Sequence, residues 1–290
     1  MRDALIRLLC ALARTLRPLP FDRLAAALSA PGPHADEVIR WQGPGRVIVN
    51  RANPREWNLY RTGVFEPHTL AAIRAHTPRG SYAVDIGANV GLITLALSAA
   101  VGPEGRVLAL EPSPTVHARL LQNLALNPFA ANVIARPVAA SRAAGHVTFY
   151  APAEPISGKG SLVRHDAGWE AIEVEAQPLD ALVAELGWPR VDVIKCDVEG
   201  YDMAALLGAR GVLEAHRPVL LVEYEPELWA HAGHILMDLL DLLGPLDYTL
   251  YHMPPFRWRG LRRSTPVALS GPAEEIGGTR LNLLALAPRA

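Results

Sequence analysis

The chain has 290 residues, of which 50% are hydrophobic and 20% charged, and its formal net charge is −1. That is ordinary globular composition, with enough apolar residues for one large domain or one domain with an appendage. A charge this close to zero gives no reason to expect nucleic acid or an anionic membrane as a global partner, and no apolar run approaches the ~18 residues that would make a transmembrane segment.

Residues 1 to 19 are apolar, with Arg2, Arg7, Arg14 and Arg17 interspersed. Arg7 interrupts the apolar core that a signal peptide needs. Leu5, Leu8, Leu9, Leu12 and Leu16 fall at helical spacing, so an amphipathic helix packed on the domain is expected, with peripheral membrane contact as the alternative. Residues 20 to 60 are rich in proline, glycine and polar side chains and read as irregular, apart from a short strand at 46 to 49. Residues 1 to 60 therefore form an extension and 61 to 290 the main domain. The two cysteines, Cys10 and Cys196, make neither a disulfide framework nor a metal cluster, which points to a reducing, cytoplasmic setting.

Pro67 suits the first turn of a helix that carries Leu70, Ile73 and Ala75 and stops at Pro78. It leads straight into the first strand, so the residues at its start, Glu66 among them, border any ligand there. The strand, Tyr82-Ala83-Val84, runs into Asp85-Ile86-Gly87-Ala88-Asn89-Val90-Gly91, and an apolar helix follows from Leu92 to Ala100. Strand, glycine turn and helix make the ligand-cradling first unit of an open α/β sheet. Gly87 and Gly91 are expected to let backbone approach a ligand, and the new helix presents free N–H groups to it. A nicotinamide dinucleotide would require G-x-G-x-x-G, whereas here the spacing is Gly87-x-x-x-Gly91 with Asn89 between. Asp85, expected at the mouth of the turn, would repel a pyrophosphate. S-adenosylmethionine has an ammonium, a sulfonium and a ribose but no phosphate, and fits better.

The next strand, 106 to 110, ends in Glu111-Pro112. An acidic residue about 20 positions past the turn is placed to accept hydrogen bonds from both ribose hydroxyls. Ser113 caps a helix carrying Val116, Leu120, Leu121 and Leu124, which ends at Asn127-Pro128. After a third strand at 132 to 135, Val138-Ala139-Ala140 lies where an adenine ring would sit. Alternation at 146 to 150 and 172 to 175 gives two further strands, which are expected to pair. The polar insertion between them contains Lys159, Ser161, Arg164 and His165. A short helix at 178 to 186 precedes a buried strand, 191 to 196, and then Asp197-Val198-Glu199-Gly200. Single helices are expected over 201 to 215 and 228 to 243, with a strand at 218 to 222 between them that ends in Glu223. Extended segments at 248 to 252 and 280 to 287 are expected to close the sheet as an antiparallel edge. Alternating strands and helices mean a doubly wound, mostly parallel Rossmann-like sheet.

In such a sheet, ligands sit at the carboxyl ends of the strands. Asp85, Glu111 and the pair Asp197 and Glu199 occupy such ends, and Glu223 is a further candidate. If the first two hold a cofactor, Asp197 and Glu199 lie where its transferable group would be. The bland reading makes Asp197 a helix cap and Glu199 a macrodipole charge.

These motifs resemble the FkbM family of class I S-adenosylmethionine-dependent methyltransferases. The resemblance is carried by Asp85 to Gly91, by Glu111-Pro112-Ser113-Pro114, by Leu120 to Asn127, and by Lys195-Cys196-Asp197-Val198-Glu199-Gly200, with Glu223 on the next strand. It covers roughly residues 64 to 255 and implies the seven-stranded class I fold. Cys196 replaces the usual isoleucine, and Tyr201-Asp202 departs from the usual small residue and glutamate, which leaves the role of Asp202 open. The resemblance implies O-methylation of a hydroxyl on a sugar, glycan or secondary metabolite. The expected cofactor-binding residues are Glu66, Asp85, Gly87, Asn89, Gly91, Glu111, Pro112, Ala139 and Asp197. Asp197 and Glu199 are the expected catalytic residues, with His68 and His165 as alternative bases. No metal is required, although Asp197 and Glu199 are hard oxygen ligands suited to magnesium. His231 and His234 have no evident third ligand. The basic, aromatic segment 254 to 263 reads as a lid or as a docking site for an anionic or carrier-linked acceptor. An NAD(P)-dependent oxidoreductase, an N-methyltransferase and a non-catalytic cofactor-binding protein are the other readings. The acceptor and the oligomeric state are not legible.

Overall fold

The computed structural model describes residues 8, 10–12, 36–152, 169–253, 267–268 and 280–288. The predicted N-terminal helix falls mostly outside these residues; of it, Leu8 and residues 10–12 are helical. The insertion with Lys159, Ser161, Arg164 and His165 and the segment 254 to 263 also lie outside them.

The central sheet is built from β3 (Tyr82–Ile86), β4 (Arg106–Leu110), β5 (Val133–Arg136), β9 (Val193–Cys196), β10 (Val219–Tyr224), β11 (Thr249–His252), the two-residue β12 (Val267–Ala268) and β13 (Leu281–Leu286). Their order is β12-β11-β13-β10-β9-β3-β4-β5. The pairs from β10 through β9, β3 and β4 to β5 are parallel, and β13 runs antiparallel between β10 and β11. The chain order reverses between β3 and β9, so the carboxyl ends of these two strands open the crevice in which such sheets bind ligands.

Neighbouring residues of each strand enter different cores, which is why the strands read as unbroken apolar runs. Val84, Ile86, Leu108 and Ile194 pack against Leu182, Leu206, Leu213 and Trp229 on one face. Ala83, Val107, Val193 and Leu221 pack against Leu59, Ile73, Leu95 and Leu97 on the other. The second face is covered by α1 (Pro54–Thr62), α2 (Pro67–His76) and α3 (Leu92–Val101). The first is covered by α5 (Leu179–Glu185), α6 (Asp202–Leu207), α7 (Arg210–His216), α8 (Pro226–His231) and α9 (Leu236–Leu243).

Two predicted helices are each broken. The 201–215 helix divides into α6 and α7 because Gly208 packs on backbone: a Cβ there would lie 1.9 Å from the Ser141 carbonyl oxygen. The Asp180 carboxylate then caps α7 from outside, accepting from Gly211 N and Val212 N, each at 2.8 Å. The 228–243 helix divides into α8 and α9 at Gly233, whose φ is +81°.

The extension is less irregular than predicted. β1 (Asp36–Arg40) and β2 (Arg46–Asn50) form an antiparallel pair, and α1 follows. This pair docks on α4 (Pro114–Ala125) and the residues just after it. Asn127 mimics a strand neighbour: its Oδ1 accepts from Arg46 N at 2.9 Å and its Nδ2 donates to Arg46 O at 2.7 Å. Asn123 accepts from Ile48 N and donates to Val90 O, each at 2.7 Å. β6 (Ala139–Ala140), β7 (Gly145–Pro152) and β8 (Trp169–Gln177) form a separate sheet in the order β6-β8-β7, in which the two predicted strands are paired.

Candidate active site

β3 ends in a tight turn in which Gly87 N and Ala88 N both donate to Leu110 O, at 3.0 and 2.9 Å. The glycines serve the protein's own packing. A Cβ on Gly87 would lie 2.0 Å from the Asp197 carbonyl oxygen, and one on Gly91 would lie 2.5 Å from Leu120 Cδ1. Gly87 thus lets the turns after β3 and β9 touch, and Gly91 lets α4 close on the first of them.

Glu111, at the end of β4, joins that turn to the start of α4. Its Oε2 accepts from Asn89 N and its Oε1 from Ser113 N, each at 2.9 Å. Each oxygen keeps a second lone pair for another donor. Burial raises its pKa to about 7, against the pull of the two backbone N–H groups.

Lys195 is the buried cation between the two turns. Its Nζ donates to Gly87 O at 3.2 Å and lies 3.7 Å from Asp85 Oδ1 and 3.4 Å from Asp197 Oδ2. Burial alone would push Lys195 down, but Asp197, Asp85, Glu66 and Glu223 more than offset it and keep the ammonium charged. Asp85 is wholly buried beneath the turn, where Thr94 Oγ1 donates to it at 2.6 Å. Its expected place at the mouth of the turn is therefore corrected: strand parity points it at Lys195.

Asp197 opens to the cavity. Burial works against its ionisation, but Lys195 and a hydrogen bond from Glu223 hold its carboxyl below the usual range. Burial and the neighbouring Asp197 raise Glu223 to about 9, so Glu223 carries the proton of the pair at neutral pH. Arg280 Nε donates to Glu223 Oε1 at 3.0 Å, and its Nη1 lies 3.4 Å from Glu225.

The turn after Asp197 is held from below by Asp202. That carboxylate accepts from Val198 N at 3.1 Å and Gly200 N at 3.2 Å, and the Cys196 thiol lies 3.5 Å away. Asp202 is buried and clamps the turn. Burial, then Asp197, raises its pKa to about 7.

These elements enclose a cavity of about 570 Å³, within the range of small-molecule sites. Of the expected site residues, Glu66, Gly87, Asn89, Glu111, Pro112, Ala139, Asp197 and Glu199 line it, whereas Asp85 and Gly91 stand behind the wall. Glu66, Asn89 and Glu199 share another property: each is a non-glycine residue at positive φ, +33°, +50° and +51°. Strained backbone of this kind clusters at functional sites. Burial and Asp197 both raise the pKa of Glu66.

Sequence reasoning missed several lining residues. Phe149 of β7 joins Val138, which is expected near the adenine, in an apolar part of the wall, and Asn53, Asn58, Leu59 and Phe65 reach in from the extension and its junction. The signal for Lys195 was a charge at the end of a buried strand, which needs partners. Arg280 opens the last predicted extended segment, 280 to 287, where no role is expected of it. His68 does not line the cavity; it hydrogen-bonds Asn282, and burial lowers its pKa. His231 and His234 bond to Glu227 O and Asp238. Among the described residues no group of three His, Cys, Asp or Glu is arranged to hold a metal ion.

The model of the FkbM methyltransferase domain matches residues 85–244, more than half of the chain. The chain belongs to the FkbM methyltransferase family. The matched span holds the glycine turn, Glu111 and the Lys195–Gly200 turn. Methyltransferase sdnD of Sordaria araneosa is 29% identical over 184 residues, which are 52% of this chain and 70% of that protein. The AMB antimetabolite synthetase AmbE of Pseudomonas aeruginosa is 27% identical over 314 aligned positions, covering 87% of this chain and 15% of AmbE. A crystal structure of methyltransferase FkbM from Methylobacillus flagellatus aligns with 98% of this chain and 58% of its own, at 18% identity and a TM-score of 0.47. The chain thus spans 15% of AmbE and 58% of the Methylobacillus protein.

The cofactor of this FkbM methyltransferase is S-adenosylmethionine. The site fits it. Glu111 has acceptor capacity for hydroxyls, the Val138–Phe149 wall is apolar, and the carboxylate cluster suits a cation. Lys195 and Arg280 are the two cations among the described lining residues, and each lies against carboxyl groups.

Proposed function

We propose that the protein transfers a methyl group to a hydroxyl oxygen of a sugar, glycan or secondary metabolite. The observation that carries this reading is the Asp197 carboxylate, held ionised by Lys195 and Glu223 and facing the cavity. S-adenosylmethionine, when bound, supplies an electrophilic methyl group on a sulfonium that departs as a neutral thioether.

In this reading Glu111 accepts from the ribose hydroxyls, Val138, Ala139, Pro112 and Phe149 pack on the adenine, and Gly87, Asn89 and Glu66 complete the cofactor wall. Asp85 and Gly91 support that wall from behind. Asp197 would take the hydroxyl proton as the acceptor oxygen takes the methyl group from the sulfonium. Glu199 orients the acceptor from the same turn. General-base assistance of this kind is worth about 10²–10⁴-fold, and holding the oxygen in line with the methyl group contributes the rest. The extension, residues 1 to 60, supplies the acceptor side of the cavity through Asn53, Asn58 and Leu59. The name of AmbE, an antimetabolite synthetase, fits small-molecule metabolism, and the acceptor proposed here is of that class.

The test is transfer of isotope-labelled methyl to a panel of hydroxylated compounds, with the linkage read by NMR. O-methyl products that fall at least about 100-fold in Asp197→Asn, with S-adenosylhomocysteine binding kept, support the reading. N-methyl products alone, or full turnover in Asp197→Asn, overturn it.

A further inference from the structure

Glu199 stands on the turn between β9 and α6, lines the cavity and has a φ of +51°. A residue with a Cβ keeps such a backbone only where its surroundings hold it there. Asp202 supplies the hold. Its Oδ1 accepts from Val198 N and its Oδ2 from Gly200 N, so the two bonds grip the residues on either side of Glu199. Gly200 completes the fit, with a φ of +98° and a backbone so close to α8 that a Cβ would lie 2.8 Å from Leu228 O.

Asp202 itself is 1% exposed and stands behind the cavity wall. Burial there disfavours its charged form, so folding alone would be served by a neutral side chain. Only a carboxylate, however, brings two acceptor oxygens to two N–H groups. We propose that Asp202 is a positioning residue for methyl transfer: it acts through the backbone of the acidic turn to hold Glu199 in the left-handed conformation that keeps its carboxylate on the cavity wall. This inference rests on the reading of Glu199 as the group that orients the acceptor.

A double-mutant cycle on the full chain tests it. Transfer to the panel of hydroxylated compounds is read as S-adenosylhomocysteine released, at about pH 8, where the Asp202 carboxylate is ionised. Asp202→Asn keeps the size of the side chain but has one acceptor oxygen, so it can serve only one of the two N–H groups. The kcat/KM for the acceptor should fall at least about tenfold in Asp202→Asn and in Glu199→Gln. The double variant should lose no more than about threefold beyond the weaker single one, because both changes remove the same aimed carboxylate. S-adenosylhomocysteine affinity, measured by calorimetry, should stay within about threefold throughout. Asp202→Glu, which keeps the carboxylate but displaces it by one methylene, carries the same cycle if the asparagine variant does not fold. Losses that multiply in the double variant, full turnover in Asp202→Asn, or loss of S-adenosylhomocysteine binding along with turnover overturn the inference and leave the role of Glu199 standing. Full turnover in Glu199→Gln overturns that role and the inference with it, and transfer to no compound by the unaltered protein overturns both.

Discussion

Lys195 Nζ lies 3.4 Å from Asp197 Oδ2 and 3.7 Å from Asp85 Oδ1. One buried ammonium therefore sets the charge of the ligand-side carboxylate and of the one beneath the glycine turn. Removing it leaves two carboxylates close together with no counterion. Lys195→Met should cost about 3–5 kcal/mol of stability, the usual loss when one partner of a buried pair is deleted. Urea denaturation measures this, and a loss below about 1 kcal/mol would mean the contacts act as a weak surface pair.

Stability should also depend on pH in a defined direction. Glu111 and Asp202 have folded pKa values of about 7, above their ordinary values of 4.5 and 3.8. The folded state then binds more protons than the unfolded chain between those limits. The contribution is complete below the ordinary values and is lost as pH rises through about 7. The unfolding free energy of the cofactor-free protein should fall between about pH 5 and about pH 8, by on the order of 2 kcal/mol per group. Asp202→Asn should flatten the fall. A free energy that rises over this interval contradicts the assignment.

Gly87→Ala probes the contact between the two turns. The new Cβ would meet the Asp197 carbonyl at 2.0 Å, at a φ of +77°. Because the obstacle is backbone, one turn must shift. We expect at least about a tenfold loss of S-adenosylhomocysteine affinity by calorimetry. Gly244→Ala, with nothing within 4 Å of the added atom and an ordinary helical φ of −57°, is the control and should bind normally.

Asn127→Ala should loosen the β1–β2 pair from α4. It removes both bonds to Arg46 and one to Asn123 O. A cost of about 2–3 kcal/mol is expected, since buried partners are left unpaired. Amide hydrogen exchange at Arg46 and Ile48 should quicken more than in β3. Uniform quickening would mean that the pair and the sheet open as one unit.

The sequence by itself determined the sheet, the order of the turns and the family. Apolar runs of strand length can only be buried on both faces, and glycine, acid and proline mark where such runs end. It also showed Asp197, Glu199 and Glu111 at strand ends, because position along a strand is local information. Only the tertiary structure decided which way each side chain points and what it meets. Asp85 and Lys195 are 110 residues apart and are paired by register between β3 and β9; nothing local predicts that. Gly87 and Gly91 look alike in sequence, yet one answers to a carbonyl of another strand's turn and the other to a leucine of α4. Asp202 looked like a departure from the family pattern and proved to be the clamp of the acidic turn. Side-chain direction and long-range contact follow from how strands are paired and helices packed, and packing is a property of the whole chain.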